Sequence, residues 1–102
     1  MSELLVGVDI GTSACKATLL RADDGEVLET ATERYQPDSP RPGWSEQDPD
    51  VWYRATTAAI RRLLADQPGS GGEVCALGLV GQMRGVVLVD DAGAPVRPAV
   101  LW

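Results

Sequence analysis

"VGVDIGTSACKATLLR", residues 6–21, carries an apolar run into an aspartate, then a glycine and two small hydroxyl residues, then a lysine and a second apolar run. Extended to residue 4, the first run reads as a central strand buried on both faces. Residues 15–21 read as a second strand, with Lys16 and Thr18 alternating against Cys15, Ala17 and Leu19. "ADDG" is a hairpin turn ending in Asp24-Gly25, and residues 26–33 return antiparallel as a third strand.

Beyond that meander the texture changes. "YQPDSPRPGWSEQDP" is rich in proline and reads as a long irregular connection. Asp48 and Pro49 supply an N-cap and a first-turn proline, and Trp52, Ala55, Ala59, Ile60 and Leu63 follow at helical spacing. The helix stops by Pro68. Residues 74–81, "VCALGLVG", read as a buried parallel strand after the crossover. Residues 86–90 and 96–101 read as a closing hairpin around Asp91-Ala92-Gly93. The order β-β-β-α-β plus hairpin is an α/β mixed sheet. The run "AVLW" suggests a piece of something longer, with an apolar face and a sheet edge that would draw chains into dimers or larger species.

The chain has 102 residues, a net charge of −6 and no histidine. The acidic balance argues against binding nucleic acid or an anionic membrane. Absence of histidine excludes a Ser–His or Cys–His catalytic pair within the chain. Cys15 and Cys75, without CxxC spacing, read as two buried core thiols of a reducing compartment. No basic leader and no stretch of membrane-spanning length are seen, so a cytoplasmic location is expected.

Three stretches could carry chemistry. The amides around Gly11, Thr12 and Ser13 can cup phosphate oxygens, with Lys16 adding positive charge. Asp9 would hold Mg²⁺, since hard cations prefer carboxylate oxygens. The same residues also suit an ordinary hairpin in which Asp9 and Ser13 satisfy turn amides. Gln82, Met83 and Arg84 lie just past a strand end, where ligands bind in open α/β sheets; a plain turn with solvated Gln82 and Arg84 and a core Met83 is the alternative. Trp44 and Trp52 could line a sugar, or Trp52 could belong to the core with Trp44 pinning the loop.

Taken in order, "GVDIGTSACKATLL", "GWSEQDPDVWY" and "GLVGQMRGVVLVDDAGAPVRPAVLW" resemble the N-terminal part of the FGGY carbohydrate kinases, most closely the xylulokinase branch. The resemblance implies a ribonuclease H-like, actin-like ATPase fold, of which residues 1–102 are part of the N-terminal domain with no complete second domain. It implies transfer of the γ-phosphoryl of ATP, with Mg²⁺, to a sugar hydroxyl, taking D-xylulose to D-xylulose 5-phosphate. Asp9 falls near metal and phosphates, Gly11, Thr12, Ser13 and Lys16 at the phosphate-contacting turn, and Gln82, Met83 and Arg84 at the sugar-binding stretch. The branch has histidine where this chain has Arg84, and a guanidinium is larger, always charged and unable to accept a hydrogen bond; another sugar or polyol is the alternative substrate. Family members are several-fold longer, and their catalytic base lies downstream, so the 102-residue chain alone is expected to be inactive; the alternative to a kinase segment is a catalytically inactive truncated fragment that acts only by weak ligand binding or association.

Overall fold

The computed structural model describes residues 3–65, 73–83 and 85–101. Strands β1 (Leu4–Ile10), β2 (Ala14–Arg21) and β3 (Val27–Arg34) form an antiparallel meander. Helix α1 (Pro49–Ala65) then crosses to β5 (Val74–Val80), which lies parallel to β1. The sheet order is β3-β2-β1-β5, so β1 is central. Two short strands, β4 (Glu46–Gln47) and β6 (Ala99–Val100), make a separate antiparallel pair.

Local chemistry explains where these elements begin and end. At the β2–β3 turn Gly25 adopts φ 73°, a left-handed conformation that glycine takes without steric penalty, and Asp24 Oδ1 accepts the Glu26 amide at 3.0 Å. At the start of α1, Asp48 Oδ1 accepts the Asp50 N–H at 3.0 Å, and Pro49 takes the position whose amide has no helical partner.

The core lies between α1 and one face of the meander. Alternation puts Leu4, Val6 and Val8 of β1 and Cys15, Ala17 and Leu19 of β2 on that face, where Ala59 and Leu63 of α1 meet them. Leu19 and Leu63 are fully buried, each contributing roughly 1.5–3 kcal/mol by leaving water. Arg62 ties the last helical turn to β3, donating to the Thr32 carbonyl at 2.6 Å and to Glu33 at 3.1 Å.

Three sequence expectations are corrected. First, β5 forms, but it is exposed along most of its length. Helix α1 covers β1, β2 and β3, and Leu77 and Leu79 are left facing an apolar groove of about 480 Å³ beside Trp52, Tyr53 and Ile60. Cys75, expected in the core, is exposed for the same reason, whereas Cys15 is buried. Second, the closing hairpin keeps its turn but not its ladder, and of its two arms only Ala99–Val100 is a strand, paired with β4 rather than with residues 86–90. Asp90 Oδ1 accepts the Ala92 and Ala94 amides at 2.9 Å each, and Gly93 sits at φ 81°. The arms meet only at isolated bridges, Val89 with Pro95 and Val86 with Val100. Pro95 and Pro98 lack the amides that a continuous ladder needs. Third, residues 46–47, read as loop, pair with residues 99–100.

Burial on one face and exposure on β5 predict opposite mutational costs. Leu63→Ala should lower the unfolding free energy by about 2–5 kcal/mol, whereas Leu79→Ala, at a residue 62% exposed, should change it by less than about 0.5 kcal/mol. Chemical denaturation followed by circular dichroism measures both; comparable losses would show that the core is misplaced.

Candidate phosphate-binding turn

The turn between β1 and β2 joins Ile10 to Ala14 through Gly11, Thr12 and Ser13. It is closed by the Gly11 N–H, which donates to the Ala14 carbonyl at 2.9 Å. A Cβ on Gly11 would come within 3.3 Å of that same carbonyl oxygen, a close approach that favours glycine. The Thr12 and Ser13 amides, outside the strand ladders, have no acceptor among the described residues.

Register places the charges. Asp9 on β1 is directly opposite Lys16 on β2, so both side chains leave the face away from α1. Both are exposed, and Lys16 makes no ion pair among the described residues. They border an open trough of about 430 Å³. Its floor includes Gly7 and Gly78, paired across β1 and β5, with Thr18 beside them. No cluster of three or more metal-ligating side chains exists among the described residues. A divalent cation at Asp9 would therefore need water and ligand oxygens to complete its shell, which is how Mg²⁺ commonly binds.

Three side chains fasten the turn from the protein side, and a fourth holds one of them. The Tyr35 hydroxyl, one residue past β3, donates to the Gly11 carbonyl at 2.6 Å. Gln47, only 2% exposed, donates from Nε2 to the Thr12 carbonyl at 3.2 Å. Its Oε1 accepts the Trp52 indole N–H at 2.6 Å. Gln82 accepts from the Thr12 hydroxyl at 3.2 Å and donates at 3.5 Å to both the Gly11 carbonyl and Gln47 Oε1.

Of the residues singled out in the sequence, Asp9, Gly11, Thr12, Ser13, Lys16 and Gln82 come together here. The Thr12 hydroxyl turns inward to Gln82, while no partner engages the Ser13 hydroxyl among the described residues. Met83 is fully exposed, which rules against the alternative that made it a core residue. Arg84 lies outside the described residues. Trp52 is half-buried and anchors Gln47. Trp44 stays exposed, under the Arg41 guanidinium at 5.1 Å. Tyr35 and Gln47 went unnoticed in the sequence. The signal available was slight: an aromatic closing β3 and an amide just before an N-cap.

The chain matches the FGGY family of carbohydrate kinases, N-terminal domain, over residues 4–102. A xylulose kinase from Escherichia coli (strain K12) is 44% identical over 99 residues, covering 97% of this chain and 20% of that protein. The chain thus spans about a fifth of the length of such relatives. Among solved structures, a xyloylose kinase from Brucella ovis superposes with a TM-score of 0.92 at 37% identity, covering 98% of this chain and 21% of that one. A gluconate kinase from Lactobacillus acidophilus superposes at 0.88 with 20% identity, covering 98% of this chain and 20% of that one, which is likeness of fold alone.

Burial raises the Tyr35 pKa from 10.0 to about 12, helped by the nearby Cys15 and Asp9. The sign follows: the neutral, donating phenol is favoured by the fold, and the stability it adds is complete below pH 10 and lost as pH rises through about 12. In a Tyr53→Phe chain, which leaves Tyr35 as the single tyrosine, absorbance at the phenolate band should titrate with a midpoint near 12. A midpoint near 10 would mean that Tyr35 is not held as a donor.

Proposed function

This chain belongs to the FGGY family of carbohydrate kinases, and from that premise we propose that residues 1–102 form part of the N-terminal domain of a kinase that phosphorylates D-xylulose at the expense of ATP. The observation that carries the reading is the turn itself: two backbone amides without acceptors among the described residues, between a carboxylate and an ammonium placed opposite one another. Unspent amides and a lysine suit phosphate oxygens, and the carboxylate suits their metal.

In this reading the γ-phosphorus–oxygen bond of ATP breaks and a new bond forms to a sugar hydroxyl oxygen. ADP leaves, and the hydroxyl proton goes to a base supplied by residues downstream of this segment. Mg²⁺, when bound, neutralises phosphate charge. Asp9 would hold that ion, the Thr12 and Ser13 amides and Lys16 would orient the phosphates, and the family resemblance assigns Gln82, Met83 and Arg84 to the sugar. Phosphoryl transfer depends on such positioning and charge stabilisation, so each group acts by geometry and field rather than by covalent chemistry. ATP as donor and a soluble, cytoplasmic setting belong to the same proposal; no helix among the described residues is long and apolar enough to cross a membrane. A second reading, a different sugar or polyol, is favoured by the permanent charge of Arg84.

In the whole kinase, Asp9→Asn keeps shape but removes the charge that holds the metal, and kcat should fall about 100-fold or more with the circular dichroism spectrum unchanged. The 102-residue chain by itself should release no ADP in response to D-xylulose, because it holds one wall of the cleft. Near-normal turnover of the variant would remove Asp9 from the site, and sugar-dependent ADP release by the chain alone would contradict the division of labour.

A further inference from the structure

We propose that Tyr35 and Gln47 are positioning residues that set the direction of the phosphate-facing amides. The inference rests on the phosphate reading of the turn and adds what aims it. All described peptide bonds are trans, and in a planar trans peptide the C=O of one residue and the N–H of the next point in opposite directions. Tyr35 draws the Gly11 carbonyl inward, so the Thr12 N–H must point outward. Gln47 draws the Thr12 carbonyl inward, so the Ser13 N–H must point outward as well. The outward amides are the two that lack acceptors among the described residues.

Each holder is itself held. The buried Gln47 amide is fixed by the Trp52 indole, and Trp52 sits in the first turns of α1. Tyr35 extends directly from β3, and its own N–H donates to the Ser13 carbonyl at 3.0 Å. The turn is therefore clamped from two elements that do not belong to its hairpin. Without the clamps the Gly11–Thr12 and Thr12–Ser13 peptides can rotate, and a rotated peptide presents carbonyl oxygen, not N–H, to an anion. Tyr35 and Gln47 thus act on the anion only through the peptides they orient.

The test uses the ¹⁵N-labelled 102-residue chain, titrated with sodium pyrophosphate and observed at the Thr12 and Ser13 amides. In the unmodified chain both resonances should move saturably. Tyr35→Phe and Gln47→Leu should each weaken apparent pyrophosphate affinity about fivefold, the worth of one hydrogen bond. Ile60→Val, a helix-face variant that loosens packing away from the turn, should leave the affinity unchanged. Residual dipolar couplings of the Thr12 and Ser13 N–H vectors, taken without ligand, should report turned vectors in the first two variants and native ones in the third. Tyr35→Phe keeps its ring, so the claim stays testable if Gln47→Leu does not fold. Pyrophosphate affinity and vectors both native in Tyr35→Phe would overturn the proposal. If pyrophosphate moves neither resonance in the unmodified chain, the phosphate reading fails, and the vectors alone judge the clamp: turned vectors uphold it and unmoved vectors overturn it.

Discussion

A buried primary amide must find partners for its carbonyl and its N–H groups, because an unsatisfied polar group inside a protein costs about 1–3 kcal/mol. Gln47 meets that demand by joining three segments distant in sequence: the β1–β2 turn, the start of α1 and the exit of β5. The arrangement works only if all three lie where they do. β1 has to be central, α1 has to start beside it, and β5 has to end at the same edge, so that Gln82 arrives against Thr12. The short pairing of β4 with β6 then fixes the strand that carries Gln47. One amide therefore couples the architecture to the geometry of the turn.

Much of this was legible in the sequence because its signals are local. Strict alternation marked β2, a carboxylate and a proline marked the start of α1, and an Asp-Gly pair marked the β2–β3 turn. The candidates Asp9, Gly11, Ser13 and Lys16 could be picked out because they fall within one short stretch of sequence. What was not legible depends on contacts made over long separations. Burial of β5 follows from what covers it, and α1 does not reach that far. Apolar content suggested a hairpin ladder at 86–101, but Pro95 and Pro98 reduce it to isolated bridges. Tyr35 and Gln47 act on residues 24 and 35 positions away, and nothing in their immediate neighbours announces it.

The same distinction separates fold from substrate. A gluconate kinase and xylulose kinases share this segment's path through space, so the fold does not choose the sugar. In the proposed reading, choice of sugar would rest with side chains past the end of β5. The proposed phosphate end is generic by comparison: backbone amides, one carboxylate and one lysine would serve it. A trough floored by the Gly7–Gly78 pair leaves room for a large anion and its metal beside those groups.

The central claim is that the turn framed by Asp9 and Lys16 is where metal-bound phosphates sit. Paramagnetic broadening by Mn²⁺·ADP, read residue by residue on the labelled chain, tests it most directly. Broadening centred on residues 9–16 is the result predicted. Broadening centred on another acidic turn, such as Asp23–Asp24, with residues 9–16 untouched, would contradict it.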